Sequence, residues 1–281
     1  MLTFETLANR YHLTGTVKLL KAVHVGSGKS DEFTDSLFVK SAHDRVFIPG
    51  SSFRGALRSA TERLLAALDP KVSCLLEKGN TGSNCPSAHS DGFDKFEESL
   101  KEKKIPPAQQ ESKRIKFLEN ILCWTCQVFG SLYVGSRVRL SDLVPINGGD
   151  PKPRPRYGVG INRDTETAAK GALYTFEVVE PEELFSFELW AENMTDQDWG
   201  VLALGLLELL AGRFWLGAKG AAGLGQCQLL EESLVLDFFE GPADLKKYLA
   251  SNAFPQRKLN GQAKQFLLDK AQHLLNQLNQ L

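Results

Sequence analysis

The sequence predicts an α+β sandwich of the ferredoxin-like kind, and three observations carry that expectation. Near the N-terminus, Leu13, Val17 and Leu19 alternate with Thr14, Thr16 and Lys18, the two-residue period of a half-buried strand. After a break at Pro49-Gly50, the residues Phe53, Leu57, Ala60, Leu64 and Leu68 recur at helical spacing. The order then repeats, with strand-like runs over 172–189 leading into an apolar helix over 196–216. Repeated strand–helix–strand units suit this class.

Taken in order, the first strand is expected over residues 12–25, ended by Gly26 and Gly28, with two short apolar stretches at 36–39 and 46–48. Ser51 or Ser52 is placed to cap the helix that follows Pro49. Residues 70–116 are polar and broken by glycines and the Pro106-Pro107 pair, so they read as an insertion on the core. A second irregular region, 145–172, is rich in Pro, Gly and Arg. Thr195 is the expected cap of the apolar helix, a glycine-rich loop and a strand near 226–230 follow it, and the C-terminal segment reads as helical. These boundaries give a core of 1–69 plus 117–235, the 70–116 insertion, and a helical extension over 236–281.

With 281 residues, the chain has room for one large domain or two small ones. No apolar run approaches the roughly 18 residues that span a bilayer, and MLTFETLANRYH lacks the layout of a secretory signal. The expectation is therefore a cytoplasmic protein with no membrane partner. A net charge of −1 gives no global signature of a nucleic-acid binder. Charge is uneven, however: Arg137 to Arg163 holds six basic residues, Arg156 and Arg163 among them, against two acids. Such a stretch is either a local phosphate-binding surface or a solvated loop.

Two glycine clusters invite nucleotide readings and fail them. Gly26-Ser-Gly-Lys-Ser30 has Val23 where a phosphate-binding loop needs its first glycine, and acids follow it. Gly217 to Gly225 follows a helix, whereas a dinucleotide fingerprint precedes one. The second loop, with Lys219 and Gly220, still suits close approach to a polyanion backbone. Arg54 and Arg58 lie four apart on one helix face, opposite the apolar stripe by spacing and near a helix start, an arrangement that binds phosphate or is simply solvated.

The cysteines are more telling. Cys123 and Cys126 form a CxxC knuckle, and Cys74 and Cys85 lie in the polar insertion. Two separated thiol pairs suit a structural zinc ion, with His89 an alternative ligand. Buried thiols or a redox pair are the other readings. Catalytic candidates are few: Asp31, Glu32 and Asp35 cluster in a loop next to His24. Such a loop can hold a divalent metal beside phosphates or be a solvated acidic turn.

Several strings resemble one family when taken in chain order. They are His24-Val-Gly-Ser-Gly28 with its acidic loop, Phe47-Ile-Pro-Gly-Ser-Ser-Phe-Arg-Gly-Ala-Leu-Arg58, Cys123-Trp-Thr-Cys-Gln-Val-Phe-Gly130, Gly160-Ile-Asn-Arg-Asp164, Gly171-Ala-Leu-Tyr174 and the late glycine loop. Over about residues 12–230 the chain resembles RAMP-superfamily backbone subunits of type III CRISPR effector complexes.

The resemblance implies a modified ferredoxin-like, RNA-recognition-type fold with a zinc-binding insertion and a β-hairpin thumb over about 145–172. It implies that Ser51, Ser52, Arg54, Arg58, Lys219 and Gly220 hold guide-RNA phosphates. Arg156 and Arg163 belong to the thumb, and Ile161 is its apolar wedge. Partners would be guide RNA, target RNA, neighbouring RAMP subunits and the large subunit of the complex. Cleaving members carry an aspartate before the Pro-Gly-Ser-Ser helix. That points to Asp35, then Asp31, with His24 nearby and Mg²⁺ or Mn²⁺ as cofactor. A non-catalytic scaffold, a processing endoribonuclease and a zinc-bearing nucleotide binder are the rival readings.

Overall fold

The structure, a computed structural model, describes residues 5–76, 85–88, 90–102, 105–146 and 149–280. In chain order its elements are β1 (Asn9–Leu19), α1 (Gly50–Leu68), α2 (Asp91–Glu102), α3 (Pro107–Ile121), α4 (Trp124–Phe129), β2 (Val138–Leu140), β3 (Arg154–Ile161) and β4 (Ala168–Val178). They continue with β5 (Leu184–Glu192), α5 (Asp196–Leu210), β6 (Phe214–Trp215), β7 (Gln226–Leu229), β8 (Val235–Glu240), α6 (Gly241–Ser251), β9 (Gln256–Leu259) and α7 (Asn260–Leu278).

The main sheet runs β2-β5-β1-β7-β6, with β8 also pairing β1 and β9 outside it. Strand β5 thus lies between β1 and β2, the two strands that α1 connects, and α5 leads from β5 to the β6–β7 edge. This is the split β-α-β arrangement of a ferredoxin-like fold, with every pairing antiparallel. Alternation decides which face is dry. Tyr11, Leu13, Val17 and Leu19 of β1 and Phe185, Phe187, Leu189 and Ala191 of β5 are buried, and the main core they share draws on α1, α5 and α7. Phe53 of α1 lies 5.8 Å from the ring of Phe187 and 5.2 Å from Phe214. Burying such a side chain is worth about 1.5–3 kcal/mol.

Two glycines in α5 let the helices approach closely. A Cβ at Gly205 would sit 2.4 Å from Thr61 Oγ1 of α1, and one at Gly200 would sit 2.5 Å from Leu274 Cβ of α7. Thr195 caps α5 as expected, in a capping box with Asp198. Asp198 is also the buried partner of Arg137, which ties the β2 edge to the helix. Arg137 is therefore structural, although it belongs to the basic stretch noted above.

Several expectations need correction. Helix α5 stops at Leu210, because the chain turns at Gly212 (φ +67°) and Phe214–Trp215 pair with Cys227 and Gln226. The C-terminal segment is not simply helical. Leu236 and Phe238 point into the core from β8, which pairs residues 9–14 of β1, and β9 pairs β8. Neither serine caps α1, because Pro49 occupies the cap and the Gly50 N–H donates to Asp142 Oδ1 at 2.8 Å.

Within the insertion, α2 and α3 pack through Phe96 and Phe117, stacked at 4.1 Å, and through the Arg114–Glu97 pair. A small second core gathers Cys74, Cys85, Leu118, Leu122, Cys123 and Cys126. Strands β3 and β4 form a separate two-stranded hairpin, joined to the acidic loop by a bridge between Ser36 and Phe176. Among the described residues, no helix is long and apolar enough to cross a membrane.

Candidate nucleic-acid interface

Three segments that are far apart in sequence meet in one cleft of about 450 Å³. Its lining takes His24 to Gly26 from the chain beyond β1, Ser52, Ala56, Ser59 and Arg63 from α1, and Trp215, Gly217 and Ala218 beside the glycine-rich loop. On a helix, residues 52, 56, 59 and 63 share a face. Gly217 is required here: its φ is +78°, and a Cβ would lie 2.2 Å from the His24 carbonyl oxygen. The loop thereby closes onto residues 24–25, with Ala218 N–H donating to His24 O at 2.9 Å.

The arginines of α1 divide by side. Arg58 is turned inward: Nε donates to Glu62 at 2.7 Å, Nη1 to Gly130 O at 2.8 Å, and Nη2 lies 3.2 Å from Cys126 Sγ. Burial lowers its pKa, but the bond and charge of Glu62 outweigh that and hold it above the usual value. Arg54 donates to Phe129 O, and its buried Nε has no hydrogen-bond partner among the described residues. Burial, and then the charge of Arg58, lower its pKa. The expectation that both guanidiniums lie opposite the apolar stripe is thus corrected. They point to the α4–Gly130 turn, and it is Arg63 that lines the cleft. Ser51 is exposed and Ser52 half-buried.

Lys219 does not project freely. Its Nζ lies 4.3 Å from the ring centre of Tyr174 and 4.4 Å from that of Phe176, a cation–π contact that ties the glycine loop to the root of the hairpin. Next to it, a Cβ on Gly220 would meet nothing within 4 Å. Along the hairpin, Tyr157, Val159, Ile161 and Leu173 are exposed, with Ile161 56% accessible. Val159 faces Leu173 and Ile161 faces Ala168 across the strands. The hairpin extends beyond the expected 145–172, because β4 runs on to Val178. Arg156 is half-buried and paired with Glu180 at 3.1 Å, whereas Arg163 is exposed at the turn.

The three candidates for catalysis have different surroundings. Asp35 is exposed, and its Oδ2 accepts the Thr175 N–H of β4 at 2.7 Å. Asp31 Oδ1 accepts from the N–H groups of Phe33 and Thr34, which shapes the loop. His24 is buried; its Nδ1 donates to the Glu177 carbonyl and its Nε2 lies 3.1 Å from Ser36 Oγ. Both ring nitrogens of His24 are engaged, so it acts as a strut between the chain beyond β1, β4 and Ser36. Among the described residues Asp31, Glu32 and Asp35 do not converge into a metal-ligand group.

The cysteines do converge. The sulfurs of Cys74, Cys85, Cys123 and Cys126 all lie within 4.8 Å of one another, and all four residues are buried. Such a set could hold a metal ion. Sulfur hydrogen bonds from Cys123 and Cys126 push the Cys85 thiol strongly down, while those from Cys123 and Cys74 push Cys126 up. Four thiols this close cannot all ionise unless a cation balances them. His89 lies outside the described residues. The fifth cysteine, Cys227, is buried in the main core, where desolvation raises its pKa to about 12.

The RAMP superfamily model matches residues 16–228, which takes in the end of β1 through most of β7, the cleft, the cysteine cluster and the hairpin. The chain belongs to the RAMP superfamily. This is a family of CRISPR-associated RNA-binding subunits that work in multi-subunit complexes. No curated relative matches the chain. Within this RAMP protein, the sequence reading missed Ser59, Arg63 and Trp215. Arg63 was legible as the continuation of the Ser52–Ser59 face. Trp215 was hidden in an apolar run that reads as the end of a helix.

Proposed function

We propose that the chain is a guide-RNA-binding backbone subunit of a type III CRISPR effector ribonucleoprotein. The observation that carries this reading is the cleft, where the His24–Gly26 segment, the exposed side of α1 and the glycine loop meet. Hydroxyls, backbone and a guanidinium there suit a sugar–phosphate strand held without base reading. Sequence specificity would come from pairing between guide and target RNA. Ser51, Ser52, Lys219 and Gly220 would add further phosphate contacts around the cleft, with Lys219 leaving its aromatic rings to do so, while Arg54, turned to the Phe129 carbonyl, would not. Arg58 would support the site from behind.

The hairpin fits a thumb. The exposed Ile161 at its end is suited to wedge between stacked bases, and Arg163 at the turn to meet phosphates. The cysteine cluster fits structural zinc: tetrahedral bonds of about 2.3 Å give sulfur–sulfur edges near ~3.8 Å, and Cys74 and Cys126 lie 3.6 Å apart. The partners would be guide RNA, target RNA, neighbouring RAMP subunits and the large subunit, in the cytoplasm. The test is purification with native partners. RNA of discrete length is the expected result, and a complex free of RNA would overturn the reading.

A second reading adds cleavage of target RNA with Mg²⁺ or Mn²⁺ through Asp35. It is favoured by the exposure of Asp35 and its fixed attachment to the root of the hairpin. Asp35→Asn keeps the acceptor for Thr175 and removes the charge. The assembled complex should then retain target RNA but lose metal-dependent cleavage; unchanged cleavage would leave the scaffold role alone.

A further inference from the structure

Trp215 is out of place as a packing residue. In the two-residue strand β6, Phe214 points inward at 1% exposure, while Trp215 points out and keeps 45% of its surface accessible. Trp190 stacks on His12 and Trp199 packs on Tyr11 and Phe266. Among the described residues, no ring stacks on Trp215. Trp215 instead lines the cleft together with the Ser52–Arg63 side of α1. Arg63 is exposed and has no acidic partner among the described residues, unlike Arg58 on the same helix. The cleft, at about 450 Å³, falls in the range of roughly 300–1,000 Å³ that holds small ligands.

We propose that this cleft holds one unstacked nucleotide of the bound single strand, its base lying on Trp215 and its phosphate on Arg63. The inference rests on the RNA-binding reading and adds a contact to it. Small side chains at Ser52 and Ala56 leave room for the ribose, and the Ser52 and Ser59 hydroxyls can bond to its oxygens. An aromatic wall accepts any base, because every base has a π-face. The site would therefore grip one nucleotide per subunit without reading its identity, which suits a protein that must accept any guide sequence.

The experiment uses the full-length chain, freed of nucleic acid, and a labelled single-stranded oligouridylate. Trp215→Ala should weaken binding roughly 5- to 150-fold, the range of one lost base–aromatic stack. Trp215→Phe should restore most of it, which also controls for folding. A matching strand with one abasic site per footprint should lose part of its sensitivity to Trp215→Ala and none of its sensitivity to Arg63→Ala. If the wild type binds RNA and Trp215→Ala binds equally well, the stacking role is wrong while RNA binding stands. If Trp215→Ala changes only assembly with partner subunits, the tryptophan is a protein contact and the proposal also fails. If the wild type binds no RNA, both the inference and the reading beneath it fall.

Discussion

Helix α1 carries arginines at 54, 58 and 63, and its two sides use them in opposite ways. On the side facing α4, Arg58 is bound by Glu62, Gly130 and Cys126, and Arg54 by Phe129. On the side facing the glycine loop, Ser52, Ser59 and Arg63 border an open cleft. The first side is tied into the fold; the second leaves Ser59 and Arg63 exposed. Charge type and spacing do not separate the two, because what decides is which neighbour folds over each face.

The largest expected effect is on the inward side, at the cysteine cluster and the zinc proposed for it. Structural zinc sites contribute apparent binding energies on the order of 10 kcal/mol, and the small core around the cysteines has few other apolar residues. Cys126→Ser should abolish bound zinc, measured by elemental analysis of the purified protein. Hydrogen exchange should then show loss of protection over α2, α3 and α4 while β1 and β5 stay protected. Equal protection in both regions would remove the metal from the account of that side.

Next comes Arg58→Ala. It strands the Glu62 carboxylate, which is 6% exposed, and breaking a buried pair by removing one partner costs about 3–5 kcal/mol. Urea unfolding should show that loss, and the double variant Arg58→Met with Glu62→Leu should recover much of it. If Arg58→Ala is as stable as the wild type, Arg58 is a surface ligand after all and the two sides are not different in kind.

A smaller effect belongs to the end of the helix. The Asp142 carboxylate receives the Gly50 N–H, so the helix start is already met by an acid of its own chain. Asp142→Ala should cost about 1 kcal/mol, the usual value of a lost cap, whereas Asp142→Asn should cost less because it keeps an acceptor. Were RNA affinity to rise in Asp142→Ala, the exposed N–H groups would be serving phosphate in competition with Asp142.

The sequence carried β1, β5 and the cysteine cluster because these depend on local signals, while β2, β6, β8 and β9 of the same sheet escaped it. Alternation in residues 11–19 and 185–191 marks the buried strands, and the Thr195–Asp198 box marks the start of α5. The CxxC spacing and the paired cysteines upstream marked the cluster. What it did not carry depends on distant partners. The cap of α1 comes from Asp142, the inward turn of Arg58 from the Gly130 turn, and the anchoring of Lys219 from two rings on β4. Strand β8 was missed for a related reason: its inward residues Leu236 and Phe238 make too short a period to separate strand from helix. His24, read as a catalytic candidate, needed the fold to reveal that both of its ring nitrogens are engaged.

The smallest effect on stability, and the sharpest test of the contrast, is expected at Arg63. Exposed and without an acidic partner among the described residues, it has nothing in the fold to lose, so Arg63→Ala should change unfolding free energy by less than about 0.5 kcal/mol. Binding should respond differently. Each phosphate neutralised on a single strand adds about −0.7 to the slope of log affinity against log salt. Replacing Arg63 should make that slope shallower by about this amount, by a similar margin on strands of different sequence, because a phosphate contact carries no base information. Arg58→Ala should lower stability and leave the slope of the remaining folded protein nearly unchanged. If the two variants instead exchange these behaviours, the inward and outward sides of α1 have been assigned the wrong way round.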